Sequence, residues 1–496
     1  MKTWKNSINQ LSIMILLTII TQVFMLLKNS IVASKFGVST DLDAFNFANS
    51  VSSFVYSFIG AGISTILMPS LADKDKKTSI NIFITIIYTI AFLALVIMLV
   101  FRESVVMVLS GSDESYFIKV CSNVFIATLI AGFLTSFVGL VNGVLEYKGQ
   151  FIRLRSVTLF TSVLLCIVLL IEKNMSIYYY ATVVLITTLV NLIMNLFFLI
   201  KSGYKYNIDF NIMDKDFRVM VRLFIPIVLS QGVYQISLIT DTMIASRLGV
   251  GQVSILSYST TIIGMVNVLV LSNITAFLYP KLIRESKENK SQESLSNYIL
   301  YINTLMFFFV VLFFTIGKEG ISLLYERGNF TIENTRVVYT CALLYILSLP
   351  TNAIRDLIYK YFYINNDTLS PFNNSLVISV LNIAVSIILS VYLGLYGVIL
   401  GTTIASFMSI ALITIRFKKK FGFDFDKSKF VKENMKIVVV TGLSVLTILI
   451  IKNKLAISNI YLFIIVYGFL VIGIFVLLLI VSKSKVLKLY VKKTKK

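Results

Sequence analysis

Unbroken apolar runs of about twenty residues, one after another, leave this chain few ways to fold. A helix of that length crosses the ~30 Å hydrocarbon layer of a bilayer. Lipid offers no partner to open backbone groups, so each run has to close its own hydrogen bonds as a helix. A transmembrane barrel would alternate apolar and polar residues in segments of roughly ten, and these runs do not alternate. Fourteen spans are expected, at roughly 8–33, 44–71, 79–101, 117–145, 156–171, 176–200, 219–246, 252–280, 297–316, 337–363, 372–393, 395–415, 434–451 and 457–481. Composition agrees: 57% of the 496 residues are hydrophobic and 14% charged, where a soluble domain carries about 25% charged residues. The fold class expected is an all-α polytopic membrane protein. The loops are short, and none could house a catalytic domain. The first run follows Lys2 and Lys5, exceeds the core of a signal peptide and lacks a small-residue cleavage site after it, so it reads as a retained helix.

The net charge is +21, and its placement decides what it means. With the N-terminus inside and the spans alternating, 32 Lys and Arg fall in inside segments and 10 in outside loops and their edges. Three more, Lys28, Arg355 and Lys360, fall within spans. Such an asymmetry is the signature of topology, and it replaces nucleic acid as the reason for the basic balance. Both termini are expected to be cytoplasmic, with the basic tail from Lys483 against anionic lipid. The absence of His excludes His-based metal sites and general bases. Cys121, Cys166 and Cys341 lie in apolar runs at unrelated spacing and read as packing residues. No Walker A loop, G-x-S-x-G or H-E-x-x-H is present. No cofactor and no metal are expected.

An internal repeat sets the architecture. Ile31-Val32-Ala33-Ser34-Lys35-Phe36-Gly37-Val38 matches Met243-Ile244-Ala245-Ser246-Arg247-Leu248-Gly249-Val250 at an offset of 212, and Leu67-Met68-Pro69-Ser70-Leu71 matches Leu278-Tyr279-Pro280-Lys281-Leu282 at 211. Six spans separate the copies, so both have one orientation, and parallel repeats are related by an axis along the membrane normal. The expected domains are residues 1–215 (spans 1–6), 216–420 (spans 7–12) and an appended helix pair with the tail, 421–496. Transporters of this plan bind substrate between the halves and rock to alternate access.

Intramembrane charges are costly and mark candidate sites. Lys28 lies in the outer half of span 1, either snorkelling or facing a cavity. Its repeat partner is Thr240, and Asn29 aligns with Asp241, a cavity-facing or paired acid suited to ion coupling or gating. Asp43 either caps its own span or gates substrate. Arg355 and Asp356 can pair with each other, and Lys360 sits near the cytoplasmic end of span 10. Asn49, Tyr56, Gln231 and Gln235 offer hydrogen bonds to a polar head group or between helices. Gly139-x-x-x-Gly143 and Gly397-x-x-x-Gly401 are read as close-packing positions.

Four stretches together resemble the MurJ/MviN branch of the multidrug/oligosaccharidyl-lipid/polysaccharide (MOP) flippase superfamily. They are Ile31–Gly37 followed by Asp43-Ala44-Phe45; Ala245-Ser246 with the helix ending at Pro280; Leu324-Tyr325-Glu326-Arg327-Gly328-Asn329-Phe330-Thr331; and Lys360-Tyr361-Phe362-Tyr363 with Asp367-Thr368 and Pro371. The resemblance implies two six-helix lobes around a central cavity in a bacterial plasma membrane. It also implies flipping of a polyprenyl-diphosphate-linked glycan, such as lipid II, from the inner to the outer leaflet. The substrate-binding set carried by it and by the residue reading is Lys28, Asn29, Asp43, Asn49, Tyr56, Gln235, Arg355 and Lys360, with Asp241 and Asp43 for ion coupling or gating. Lys28 stands where the family has arginine, and Asn29 where it has an acid. The family's arginine pair of span 2 falls near Tyr56 and Ser57, its A-E-G-A becomes Gly60-Ala61-Gly62-Ile63, and its span 8 arginine falls near Thr261. The implied cavity is therefore less cationic, which leaves a capsular, O-antigen-type or teichoic repeat unit as an alternative cargo. A cation-coupled multidrug pump, a glycan polymerase or glycosyltransferase, and an envelope-synthesis scaffold are the competing classes. The drive is membrane potential or a monovalent cation, and the expected partners are the lipid-linked glycan, the bilayer and envelope-synthesis enzymes.

Overall fold

A computed structural model describes residues 2–71, 77–272, 274, 278, 282, 285, 291–365, 367–455 and 457–486. The Lys74–Lys76 segment, Pro280 and the end of the lysine tail lie outside them, and the side chains of Ser57, Ala61–Ile63 and Gln231 are likewise not described. Within the described residues the structure is helical throughout: α1 Lys2–Phe36, α2 Thr40–Leu71, α3 Lys77–Val100, α4 Arg102–Ser110, α5 Ser115–Tyr147, α6 Phe151–Ile171, α7 Ile177–Lys201, α8 Lys215–Arg247, α9 Gln252–Val266, α10 Ser291–Tyr325, α11 Ile332–Ile346, α12 Leu349–Ile364, α13 Leu369–Leu393, α14 Leu395–Phe421, α15 Lys427–Lys454 and α16 Ile460–Val481. Among the described residues, twelve helical stretches are long and apolar enough to cross a membrane. The second and seventh expected spans coincide with α2 and α8, helices of 32 and 33 residues.

Local chemistry explains where the helices begin. The side chains of Ser176, Asp214, Thr331, Asp426 and Asn459 each accept a backbone N–H from the first turn that follows, satisfying donors that have no partner inside the helix. Two expectations are refined. Span 10 is two helices, because Pro350 occupies the first turn of α12, where a missing N–H costs nothing. The segment after span 3, read as loop, contains the short helix α4.

By contacts the chain divides into two compact units, Met1–Ser254 with Arg327–Phe330, and Ile255–Glu326 with Thr331–Lys496. In the first unit α2 lies along α5. The approach is close because two glycines face each other: a Cβ on Gly139 would lie 2.6 Å from Gly60 Cα. Ser52 Oγ donates to Thr128 Oγ1 at 3.0 Å across the same pair. α1 packs on α6, and α6 on α7, where Asn191 donates to Thr161 at 2.9 Å. α8 joins this unit through α2 and α3, with Phe83 edge-on to Phe224 at 5.2 Å.

In the second unit α13 and α14 form a tight hairpin. Gly397 sits on the Leu389 carbonyl and Gly401 on Ser386, leaving no room for side chains. The helix pair α15–α16 docks on α10 at three levels by polar contacts: Lys485 to Asn297 at 2.9 Å, Asn434 with Asn303 at 2.7 Å, and Lys452 to Glu319 at 3.0 Å. Between them is an apolar cluster of Val311, Ile448, Tyr467 and Phe475. Polar pairs of this kind set which helix faces meet in lipid, where apolar contact alone does not discriminate. All three cysteines are free and buried, in keeping with a packing role.

Gly139→Val drives two methyl groups into the Gly60 backbone. The variant is expected to lose about 1–3 kcal/mol of stability, read as a lowered melting temperature of the purified protein in detergent. Gly473→Val, where nothing lies within 4 Å of an added Cβ, is the control and leaves it unchanged.

Candidate functional site

The repeated Ala-Ser-Lys/Arg-x-Gly turns are where the structure concentrates its polar contacts. α1 ends at Phe36, and Gly37 reverses the chain with φ +59°, a conformation open to glycine at little cost. The turn is held from outside its own half. Asn329 N donates to the Ser34 carbonyl at 2.9 Å, and Asn329 Nδ2 donates to the Lys35 carbonyl. Gly328, at φ +57°, packs so closely on the Ser34 carbonyl that a side chain has no space. The second copy of the turn is also held by a loop before a fourth span, with donor and acceptor exchanged. Ser246 Oγ and Arg247 Nε both donate to the Ser110 carbonyl, at 3.0 and 3.2 Å, and Gly111 lies under the guanidinium.

These contacts are reciprocal. Gly328-Asn329 precedes span 10 and clasps the end of span 1. Ser110-Gly111 precedes span 4, the counterpart of span 10, and clasps the end of span 7. Each repeat thus lends its fourth-span loop to the first-span turn of the other, as in a two-fold contact.

Asp43 closes the middle of this clasp. Its carboxylate is 3% exposed and accepts hydrogen bonds from Gly251 N, Ser254 N at 2.7 Å and Ser254 Oγ at 2.6 Å. The expectation that Asp43 either caps its own span or gates is resolved in part: Ser39 Oγ accepts from Leu42 N at the start of α2, and Asp43 caps α9. The free N–H groups and dipole of a helix start favour an anion there. Asp43 and Ser254 are related by the same offset of 211 that relates Pro69 to Pro280, so two equivalent helix starts meet at one carboxylate. Ser254, Gly251 and Ser110 are not singled out from the sequence, and Asn329 stands there only within its motif. The signal for Asn329 was its motif; a lone serine at 254 carried none.

The other candidates are dispersed. Lys28 is half-buried on α1, one turn after Phe24, whose carbonyl accepts the Cys166 thiol of α6 at 3.1 Å; among the described residues it forms no ion pair. Asn29 is half-buried and Asn49 exposed. Tyr56 is 1% exposed, its ring edge-on to Phe133 at 5.9 Å and over Gly132, and its hydroxyl has no partner among the described residues. In this conformation it packs α2 on α5. On α8, Gln235 is half-buried and Asp241 buried. In the second unit Arg355 pairs with Asp356 at 2.9 Å and lies over the Tyr359 ring, and Lys360 lies over Tyr363. α9 is followed directly by a π-helical turn over Asn267–Ser272, a form that often accompanies functional positions.

The Asp367-Thr368 motif also has a structural partner. Asp367 accepts Lys420 Nζ at 2.6 Å and the hydroxyl and N–H of Ser370, while Arg416 donates to the Ser370 carbonyl. Burial raises its carboxyl, but the Ser370 donors and the Lys420 ammonium outweigh burial and hold it below the usual carboxylate range. Its contribution to stability is therefore complete above that range and is lost as pH falls through the depressed value.

Comparison with known proteins adds the following. The family described as lipid II flippase MurJ matches residues 32–475. A probable lipid II flippase MurJ of Rickettsia prowazekii is 24% identical over 418 residues, covering 81% of this chain and 82% of its own. The solved structure of a lipid II flippase MurJ in an inward closed conformation superposes with a TM-score of 0.80 at 19% identity, over 97% of this chain and 99% of that one. An inward-facing multidrug resistance MATE family transporter of the MOP superfamily gives 0.66 at 16% identity, over 81% and 96%. At these identities the solved structures establish the fold.

Removing the Asp43 carboxylate strands two buried N–H groups, each worth about 1–3 kcal/mol. Amide hydrogen exchange at Gly251 and Ser254 is expected to accelerate at least about tenfold in Asp43→Ala, while exchange in the α13–α14 hairpin stays as in the parent.

Proposed function

The chain belongs to the lipid II flippase MurJ family, and from that premise we propose that it moves a polyprenyl-diphosphate-linked peptidoglycan precursor, lipid II or a close relative, from the inner to the outer leaflet by alternating access. The observation that carries the reading is the family match over nearly the whole chain. The clasp supplies the device that alternation needs: a seal made of a few directional hydrogen bonds at one end of the helices. Breaking it releases Asp43, Asn329, Ser246 and Arg247 to water, which offers each of them replacement hydrogen bonds, so opening costs less than separating an apolar interface of similar extent.

The charge asymmetry of the loops puts this end outside and both termini in the cytoplasm. The protein then acts as a transporter in a bacterial plasma membrane and not as an enzyme. Its partners are the lipid-linked substrate, the bilayer and the enzymes that build and consume the precursor. Lys28 is the cation for the diphosphate, with Asn29, Asn49, Gln235, Arg355 and Lys360 as head-group contacts, and Asp241 takes part in coupling. Carrying a diphosphate past ~30 Å of hydrocarbon without a wet, cationic path incurs the full ion-desolvation cost. Membrane potential contributes about 2.3 kcal/mol per charge per 100 mV and is a sufficient drive for reorientation.

In a strain that depends on this chain for envelope growth, depletion is expected to accumulate lipid II in the inner leaflet, and Lys28→Ala to support at most about a tenth of parental export, with Lys28→Arg restoring it. Full export by Lys28→Ala removes Lys28 from the substrate path; depletion without lipid II accumulation overturns the cargo assignment. The Asp43→Cys/Ser254→Cys pair, oxidised across the clasp, is expected to stop export until it is reduced.

A further inference from the structure

The first unit contains a cavity of about 700 Å³ whose lining includes no clasp residue and no candidate substrate residue, Tyr56 packing on one wall residue, Phe133, from behind; its size is well within the range of small-molecule sites. Its walls come from α3, α5 and α7, with Phe92, Phe137 and Leu140 among them. Its remaining side is a strap, residues 202–211, between α7 and α8. The strap alternates: Tyr204, Tyr206, Ile208 and Phe210 all line the cavity, while Lys205, Asn207 and Asp209 fall between them. Period-two alternation gives an extended segment one apolar face. That face is not closed by protein, for Ile208 is 73% exposed and Phe210 61%.

Two further observations say what covers it. The strap is anchored but its polar edge is incomplete: Tyr206 shares a hydrogen bond with Thr85 at 2.7 Å, Asp209 N donates to the same hydroxyl, and the buried Tyr204 hydroxyl has no partner among the described residues. The rim is also cationic. Lys148 reaches the Ser202 carbonyl, Lys201 lies beside Phe197, and Lys205 is exposed on the strap. An apolar trough along which Ile208 and Phe210 are exposed, an unmatched hydroxyl at its edge and cations on its rim match the parts of an anionic phospholipid. Basic pockets at the ends of transmembrane helices recognise such head groups.

We propose that this cavity binds one anionic phospholipid, with an acyl chain along the aromatic wall, an ester or phosphate oxygen accepting from Tyr204, and the phosphate beside Lys201 and Lys205. The bound lipid completes the strap and so fixes the connection that leads into α8. The site is separate from the transport path, and its occupancy does not depend on which glycan is carried.

Native mass spectrometry of the full chain, purified in detergent and incubated with equimolar phosphatidylglycerol and phosphatidylethanolamine, tests this. The parent is expected to retain one phosphatidylglycerol in preference to phosphatidylethanolamine. Lys201→Glu/Lys205→Glu, on exposed positions, is expected to reduce that retention at least about tenfold. Thr89→Trp, which fills the cavity from an exposed position on α3, should abolish it with melting temperature measured alongside as the check on folding. Equal retention of both lipids, or retention unchanged in the variants, means annular lipid only and overturns the proposal. Recovery of a polyprenyl diphosphate in place of the phospholipid, lost in Thr89→Trp, also overturns it and assigns the cavity to the substrate's tail.

Discussion

Asp43 places a carboxylate at the start of α9, 208 residues along the chain from its first partner and 211 from its second. The contact is satisfied from both sides. The helix start has N–H groups that need an acceptor, and a carboxylate out of water needs donors. Removing either leaves the other buried and unmatched, so the bond is directional and all-or-none in a way that leucine contacts are not. The turns at Gly37 and Gly249 are arranged around it, and the loops at Ser110 and Asn329 lock those turns in crossed fashion. A contact built this way has few parts, each replaceable by water.

The helical character and the place of most spans were legible because lipid imposes a single requirement, closed backbone hydrogen bonds over some twenty residues, and the apolar runs state it directly. The repeat was legible because the turn residues are constrained: Gly37 adopts a positive φ, and Gly328 packs on the Ser34 carbonyl with no space for a side chain. What escaped the sequence was pairing. Asp43 was recognised as an acid at a helix start, but nothing in linear order says that it serves α9 and not α2. Ser254 is one of many serines, and Ser110 acts through a carbonyl, which leaves no trace in residue identity. Pro350 broke span 10 because a proline early in a helix is tolerated only where a helix begins, and the apolar run masks that start.

Lys28 and Tyr56 carry the comparison with the family pattern furthest. Tyr56 stands near positions where the family has arginine, and the structure shows it filling space between α2 and α5 against Phe133 and Gly132. A buried arginine there would need paired acids, and the packing of Gly60 on Gly139 leaves little room for them. At Tyr56 a helix contact stands near a position where the resemblance implies a charged lining.

In the proposed function Lys28 meets the diphosphate, and a span 2 without the family's arginines leaves more of that recognition to Lys28 and to neutral donors. A lysine offers a mobile point charge where arginine offers a planar fork, so it tolerates a wider range of phosphate positions as the protein reorients but fixes none of them. The same proposal gives the head group a less rigid grip and assigns to the clasp more of the separation of the two leaflets. The clasp meets that demand through number and direction: Asp43 takes three donors, Asn329 gives two bonds, and Ser246 with Arg247 gives two more. The proposal thus pairs a loose hold on the cargo with a directional contact at the clasp.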